Sequence, residues 1–265
     1  MARVQAEEKL RMLRDEGIPE DAVGIIPGTF IMPFGKNRPS WFDNYKGRMR
    51  LERKRWRTRL TEVAMIVMRW WITRPRPKLE ITKPPGIVKD LHQKMYSHFA
   101  AGNLEAIEPR LCPGLLNSLR RRISLRSPNT HLKWTLHKYL SKPKLVSYRA
   151  MQIPGQKSET SRERNGVTQA IVRIHSLQSL QHVKRVTARE RGLLVTKEVV
   201  VDSKGNELPG ATTDERFQVR NAKESVEYLV LQRIMKQSTQ GPWKLWGNAE
   251  ETTLSKLDSE QRKKR

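Results

Sequence analysis

The chain has 265 residues, and its 52 Lys and Arg against 27 Asp and Glu leave a formal net charge of +25. A hydrophobic content of 37% supports one core of ordinary size with extensions, or two small domains. No run approaches the roughly 20 apolar residues that cross a bilayer as a helix. The single cysteine, Cys112, excludes an internal disulfide framework and a Cys-based zinc site. The charge excess argues for an acidic partner, nucleic acid or anionic lipid, over a free-standing metabolic enzyme.

Residues 5–16 (QAEEKLRMLRDE) predict a short, mixed-charge helix ending at Gly17. From Ile18 to Ser40, Pro19, Pro27, Pro33 and Pro39 alternate with Gly24, Gly28 and Gly35, which predicts a linker or extended arm rather than packed structure. A mitochondrial presequence should be Arg-rich and acid-poor. Glu7, Glu8, Asp15 and Glu16 depart from that pattern, so either no such cleaved signal exists or the sequence begins after it.

From about Trp41 to Trp71 a helix is expected, since no Pro interrupts it and Gly47 is its one weak point. Its first half holds the densest charge: Lys46, Arg48, Arg50, Arg53, Lys54, Arg55, Arg57 and Arg59, interrupted by Glu52 alone. Such a run repels itself unless something anionic neutralises it. Trp41, Phe42, Tyr45 and Trp56 are interleaved with it. Arg pairs bidentately with phosphate and stacks on bases, as aromatic rings also do, so RNA or DNA phosphate contact is favoured for these cations over the alternative of a solvated basic run. The second half, residues 63–72, is the most apolar segment of the chain and too short to span a membrane. It reads either as a buried helical turn or as an interfacial segment, with Met65, Ile66, Met68, Trp70, Trp71 and Ile72 near lipid and cations on the other side. Pro75, Pro77, Pro84 and Pro85 then mark a domain boundary.

Val88, Leu91, His92, Met95, Tyr96 and Phe99 recur at helical spacing and predict an amphipathic helix that stops near Gly102. A short helix over 103–108 closes at Pro109, and another begins at Pro113 and runs to Ile123. Arg120, Arg121 and Arg122 at its C-terminal end suit either the helix dipole or RNA. Residues 131–140 are open between helix and strand, whereas 144–153 predict a strand followed by a polar loop over 154–166. Further strands are expected at 170–175, 193–201, 227–235 and 243–247, with a turn at 202–206. Helices followed by antiparallel strands make the fold class α+β, with helices packed on one face of a sheet.

Chemistry leaves no comparable trace. None of His92, His98, His131, His137, His175 and His182 lies three or four residues from another, so no helical metal pair is formed. Nucleotide-binding glycine motifs and a nucleophile elbow are absent from the sequence. His92 and His98 read as helix-surface or satisfied core residues, and the acid pairs Glu7-Glu8, Asp214-Glu215 and Glu250-Glu251 as solvated faces. No catalytic residue, metal or cofactor is expected, and the chain is read as a non-enzyme.

Three segments carry a family resemblance: Ser97-His-Phe-Ala-Ala-Gly-Asn-Leu-Glu-Ala-Ile107, Glu227-Tyr-Leu-Val-Leu-Gln-Arg233 and Gly241-Pro-Trp-Lys-Leu-Trp-Gly247. The first resembles the opening of a Tim44-like domain and the other two its last strands. The likeness covers roughly residues 87–257 and is greatest to the mitochondrial large-ribosomal-subunit branch, which includes the fungal membrane-associated ribosome receptor. It implies a cone-shaped, NTF2-like domain at 87–257, preceded by an arm (1–40) and a basic and apolar helical extension (41–86), and followed by a basic tail (258–265). It also implies a matrix protein peripheral to the inner membrane. Its implied partners are mitochondrial rRNA, neighbouring large-subunit proteins, the inner-membrane surface and an Oxa1-type insertase, at the polypeptide exit. An import-motor scaffold that binds lipid and a mitochondrial Hsp70 is the alternative within the same resemblance.

Overall fold

The computed structural model describes residues 21, 23–73, 76–127, 130–152, 166–190, 193–202, 206–208, 215–236 and 239–262. The helix expected over 5–16, most of the loop at 154–166 and the end of the basic tail lie outside them. The helices are α1 (Tyr45–Ile72), α2 (Pro84–Ala101), α3 (Pro113–Ser124), α4 (Glu215–Arg220) and α5 (Leu254–Arg262). The strands are β1 (Thr130–Gln152), β2 (Gly166–Glu190), β3 (Leu193–Val201), β4 (Lys223–Lys236), β5 (Thr239–Gln240) and β6 (Lys244–Ala249). They form one sheet of order β1-β2-β4-β5, with β3 paired to β2 and β6 to β4. The β2–β3, β4–β5 and β4–β6 pairings are antiparallel, and the fold is α+β.

The chain divides into two units: Met1–Pro85 with Leu145–Val172 and Tyr228–Arg265, and Gly86–Lys144 with Arg173–Glu227. The helical extension therefore does not stand apart from a domain at 87–257. Its partners are strand segments far away in sequence, which local patterning cannot reveal.

In the first unit, Phe30, Leu51 and Leu257 pack together, flanked by Met32 and Leu254. Val167, Ile171, Leu229, Leu231 and Leu245 are also buried. The described part of the Pro- and Gly-rich stretch holds turns and one 3-10 turn at Gly35–Asn37, and it is packed rather than free: Ile26, Phe30 and Ile31 are buried. Buried loop backbone needs partners, and side chains supply them. The Ile26 N–H donates to Gln169 Oε1 at 2.9 Å, and the Gln169 amide donates in turn to Gly24 O and to Gln232 Oε1. Ile31 exchanges bonds with Thr252, and the Phe34 N–H donates to Glu251.

In the second unit the helical spacing is realised, with Val88, Leu91, His92 and Met95 buried on α2. Gly102, at φ +80°, ends the helix in the left-handed conformation that glycine adopts freely. The Arg126 guanidinium stacks over the Phe99 ring and donates to the Phe99 and Ala100 carbonyls of the last turn, the former also accepting from the Gly102 N–H. Residues 103–108 do not form an α-helix; a 3-10 turn spans Glu105–Arg110 and contains Pro109. Residues 131–140 and 144–153 are not two elements but the single strand β1, which carries Pro143. β1 ends the strand order, the position in a sheet where Pro is tolerated. Helices α4 and α5 had no sequence expectation, and α5 crosses the boundary set at residue 257.

Candidate nucleic-acid interface

Helix α1 begins at Asn44, whose side chain accepts from the Gly47 N–H at 2.8 Å. A Cβ at residue 47 would lie 2.7 Å from Leu254 Cδ1, so glycine is what lets α5 approach here. The inward face buries Gly47, Leu51, Thr58 and Glu62 at helical spacing. Glu62 accepts from Ser147 Oγ and lies 3.4 Å from Arg149 Nε. Burial pushes its carboxyl up, and Ser147 and Arg149 offset only part of that effect.

The eight candidate cations sort by exposure. Lys46, Arg50, Arg53 and Arg57 are exposed, Lys54, Arg55 and Arg59 are half-buried, and Arg48 is buried at 5%. Arg48 is thus not a phosphate contact: its guanidinium pairs with Glu52 at 2.7 Å and sits 5.3 Å from the Trp41 ring. Glu52 also holds Arg55, and Arg50 pairs with Asp258. Among the described residues no carboxylate pairs with Lys46, Arg53, Lys54, Arg57 or Arg59. Arg120, Arg121 and Arg122 are exposed on α3, Arg120 pairing with Glu108 at 2.7 Å, and belong to the other unit.

Beyond Arg59 the outward face becomes apolar. Leu60, Val63, Val67 and Trp71 follow one another at three- and four-residue spacing, all exposed, with Trp71 at 69%. Met68 and Ile72 are exposed beside them, while Met65, Ile66 and Trp70 are half-buried. Trp70 is covered by the Arg76 guanidinium at 4.3 Å, so the two tryptophans differ in availability. Exposed apolar side chains also occur among the cations, at Tyr45, Met49 and Trp56, at helical spacing from Leu60 and Val63, so an apolar stripe runs beside the charged one and continues past it. Val63 and Val67 fall within the apolar segment 63–72 expected from the sequence, and Leu60 extends that exposed apolar surface by one turn towards the cations.

Met65, Met68 and Ile72 line a cleft of about 150 Å³ with Met151, Met235 and Arg69. Arg69 donates to Val167 O at 3.3 Å, and burial lowers the pKa of its guanidinium. No described helix is long and apolar enough to cross a membrane.

The second unit contains a buried polar cluster that the sequence did not disclose. Glu227 accepts from Tyr96 Oη and Gln178 Nε2, each at 2.8 Å, and from Ser225 Oγ at 3.1 Å. His92, fully buried, places Nε2 at 3.7 Å from the same carboxylate. Trp134 stacks on Tyr96 and donates to Gln178. Each oxygen of Glu227 thus accepts from another side chain of the protein. Among the described residues no group of His, Cys, Asp and Glu is placed to hold a metal ion.

The MBA1-like protein family matches residues 74–203, just under half of the chain, and is a family associated with the mitochondrial ribosome. The match ends before Glu227–Gly247, so two of the three segments that resemble a Tim44-like domain lie outside it. No curated protein matches the chain.

Proposed function

We infer that this protein is a non-enzymatic component or receptor of the mitochondrial large ribosomal subunit, held near the polypeptide exit and linking the ribosome to the inner membrane for co-translational insertion. The first half of α1 contacts rRNA phosphates through Lys46, Arg53, Arg57 and the partly covered Lys54 and Arg59, and the last three turns meet the membrane surface through Leu60, Val63, Val67 and Trp71. One observation carries this reading: the exposed residues of a single helix include cations up to Arg57, and from Leu60 onward are all uncharged and mostly apolar. Phosphate contacts supply affinity without sequence preference, so the ribosome rather than a base sequence defines the site. The likeness to a ribosome-associated family supports the same reading. An Oxa1-type insertase and neighbouring ribosomal proteins complete the proposed complex, in the matrix and peripheral to the membrane.

The test is sedimentation of mitochondrial lysate at rising salt, with and without RNase. The protein is expected with the large subunit, released by RNase or by salt, and released at lower salt in the Arg53→Glu/Arg57→Glu variant. Migration with membrane or an Hsp70 irrespective of ribosomes would replace this reading with that of an import-motor scaffold.

A further inference from the structure

The turn that leads into α1 is held by its own hydrogen bonds. The Phe42 N–H donates to Ser40 Oγ at 3.2 Å, the Asn44 N–H to Ser40 O at 3.2 Å, and the Arg48 N–H to Asn44 O at 2.9 Å. This fixed turn displays three aromatic rings: Phe42 is 98% exposed, Tyr45 55% and Trp41 46%. Trp41 and Tyr45 lie with centroids 5.9 Å apart and planes inclined at 42°. Behind Trp41 sits Arg48, itself pinned by Glu52, so the indole is backed from within the protein. Apolar rings cost free energy in water, and a hydrogen-bonded turn that exposes three of them offers faces for a partner to cover.

The surroundings select that partner. Lys36, Arg38 and Lys46 are exposed next to the rings in sequence, and Asp43 is the single acid between Arg38 and Lys46. Flat π-faces bordered by cations match a flexible polyanion that carries flat groups, the arrangement by which single-stranded nucleic acid is bound. A duplex keeps its base faces stacked inside and offers these rings only its backbone and the base edges of its grooves.

We propose that Trp41, Phe42 and Tyr45 form a stacking platform for unpaired RNA bases, with Arg38 and Lys46 holding the flanking phosphates. This inference rests on the RNA contact of the previous section and adds a preference that phosphate pairing alone does not create.

The test uses the full chain and two probes, a 12-nucleotide single-stranded RNA and a duplex of the same length, titrated at several salt concentrations. The wild type is expected to bind both, and Phe42→Ala to bind the single strand about tenfold more weakly while duplex affinity and the salt slope stay unchanged. Arg53→Glu/Arg57→Glu should weaken both probes. If Phe42→Ala changes neither affinity or both equally, the platform is overturned and the phosphate contact stands. If the wild type binds neither probe, both readings fail. If Phe42→Ala leaves ribosomes while binding both RNAs normally, the rings dock a protein and the proposal is overturned.

Discussion

Tyr96 donates to Glu227 across 2.8 Å, tying helix α2 to strand β4 through a single carboxylate. Burial alone would raise the pKa of that carboxyl, but His92, Tyr96 and Gln178 together hold it below the usual range. Its folded pKa is therefore lower than its unfolded one. The stability it contributes is full above the ordinary carboxylate pKa and is lost as pH falls through the folded value. Glu227→Gln is expected to cost about 1–3 kcal/mol near neutral pH and to flatten that acid limb. Urea denaturation between neutral pH and pH 3 measures both, and an unchanged acid limb would refute the assignment.

Glu62 has the opposite sign. Burial raises its carboxyl above the usual range. Its contribution is thus full below the ordinary carboxylate pKa and declines as pH rises through the folded one. Glu62→Gln keeps an acceptor for Ser147 and removes the ionisation. Relative to the wild type, this variant should gain ground as pH rises. A constant difference across the series would show that Glu62 does not titrate in this way.

Replacing glycine by alanine within a helix usually stabilises by roughly 0.5–1 kcal/mol. Gly47 should break that rule. A Cβ here would lie 2.6 Å from Asn44 Oδ1 and 2.7 Å from Leu254 Cδ1, so the N-cap bond and the α5 contact must both give way. Gly47→Ala is expected to destabilise by about 1 kcal/mol, the typical value of a cap. In an Asn44→Ala background the penalty should shrink, since one of the two clashes has gone. A stabilised Gly47→Ala would show that both neighbours move at no cost.

Arg48 and Arg53 lie in the same cationic run yet should respond differently. Arg48→Ala removes a buried partner of Glu52 and should lower stability by about 1–3 kcal/mol, with no change in the salt dependence of RNA binding. Arg53→Ala should leave stability within about 0.5 kcal/mol and reduce the salt slope by about one. Thermal melts and RNA titrations on the same preparations separate the two roles.

At the apolar end, Val67→Ser/Trp71→Ser changes side chains that are already in water. Binding to vesicles containing anionic lipid should fall several-fold, while RNA affinity and melting temperature hold. Equal vesicle binding by variant and wild type would remove lipid from the role assigned to these turns.

Much of the helical framework was legible because its signals are local. The spacing of Val88, Leu91, His92 and Met95 identifies the buried face of α2, and β3 lies where the Val-rich run places it. The misses share a cause: the deciding partner is distant. Residues 26–34 read as an arm because nothing near them announces Gln169, Glu251 and Thr252. Residues 131–140 are open between helix and strand in the sequence because the pairing that makes them one strand with 144–152 is a property of the sheet. Helix α5 offers only Leu254 and Leu257 as apolar anchors, too few to show a period. The cationic run is plain in the sequence, but composition does not say which guanidinium turns inward, and only the packing singles out Arg48.

Helical phase adds a constraint on α1. Arg53 and Trp71 are 18 positions apart in sequence, and at 3.6 residues per turn that is about five whole turns and about 27 Å of rise. The two side chains therefore leave the helix in the same direction from opposite ends of one rod. An insertion or deletion of one residue between them would swing Trp71 by about 100° relative to Arg53. The length of the segment is thus as constrained as its composition, because adding or removing a residue turns one of the two surfaces away.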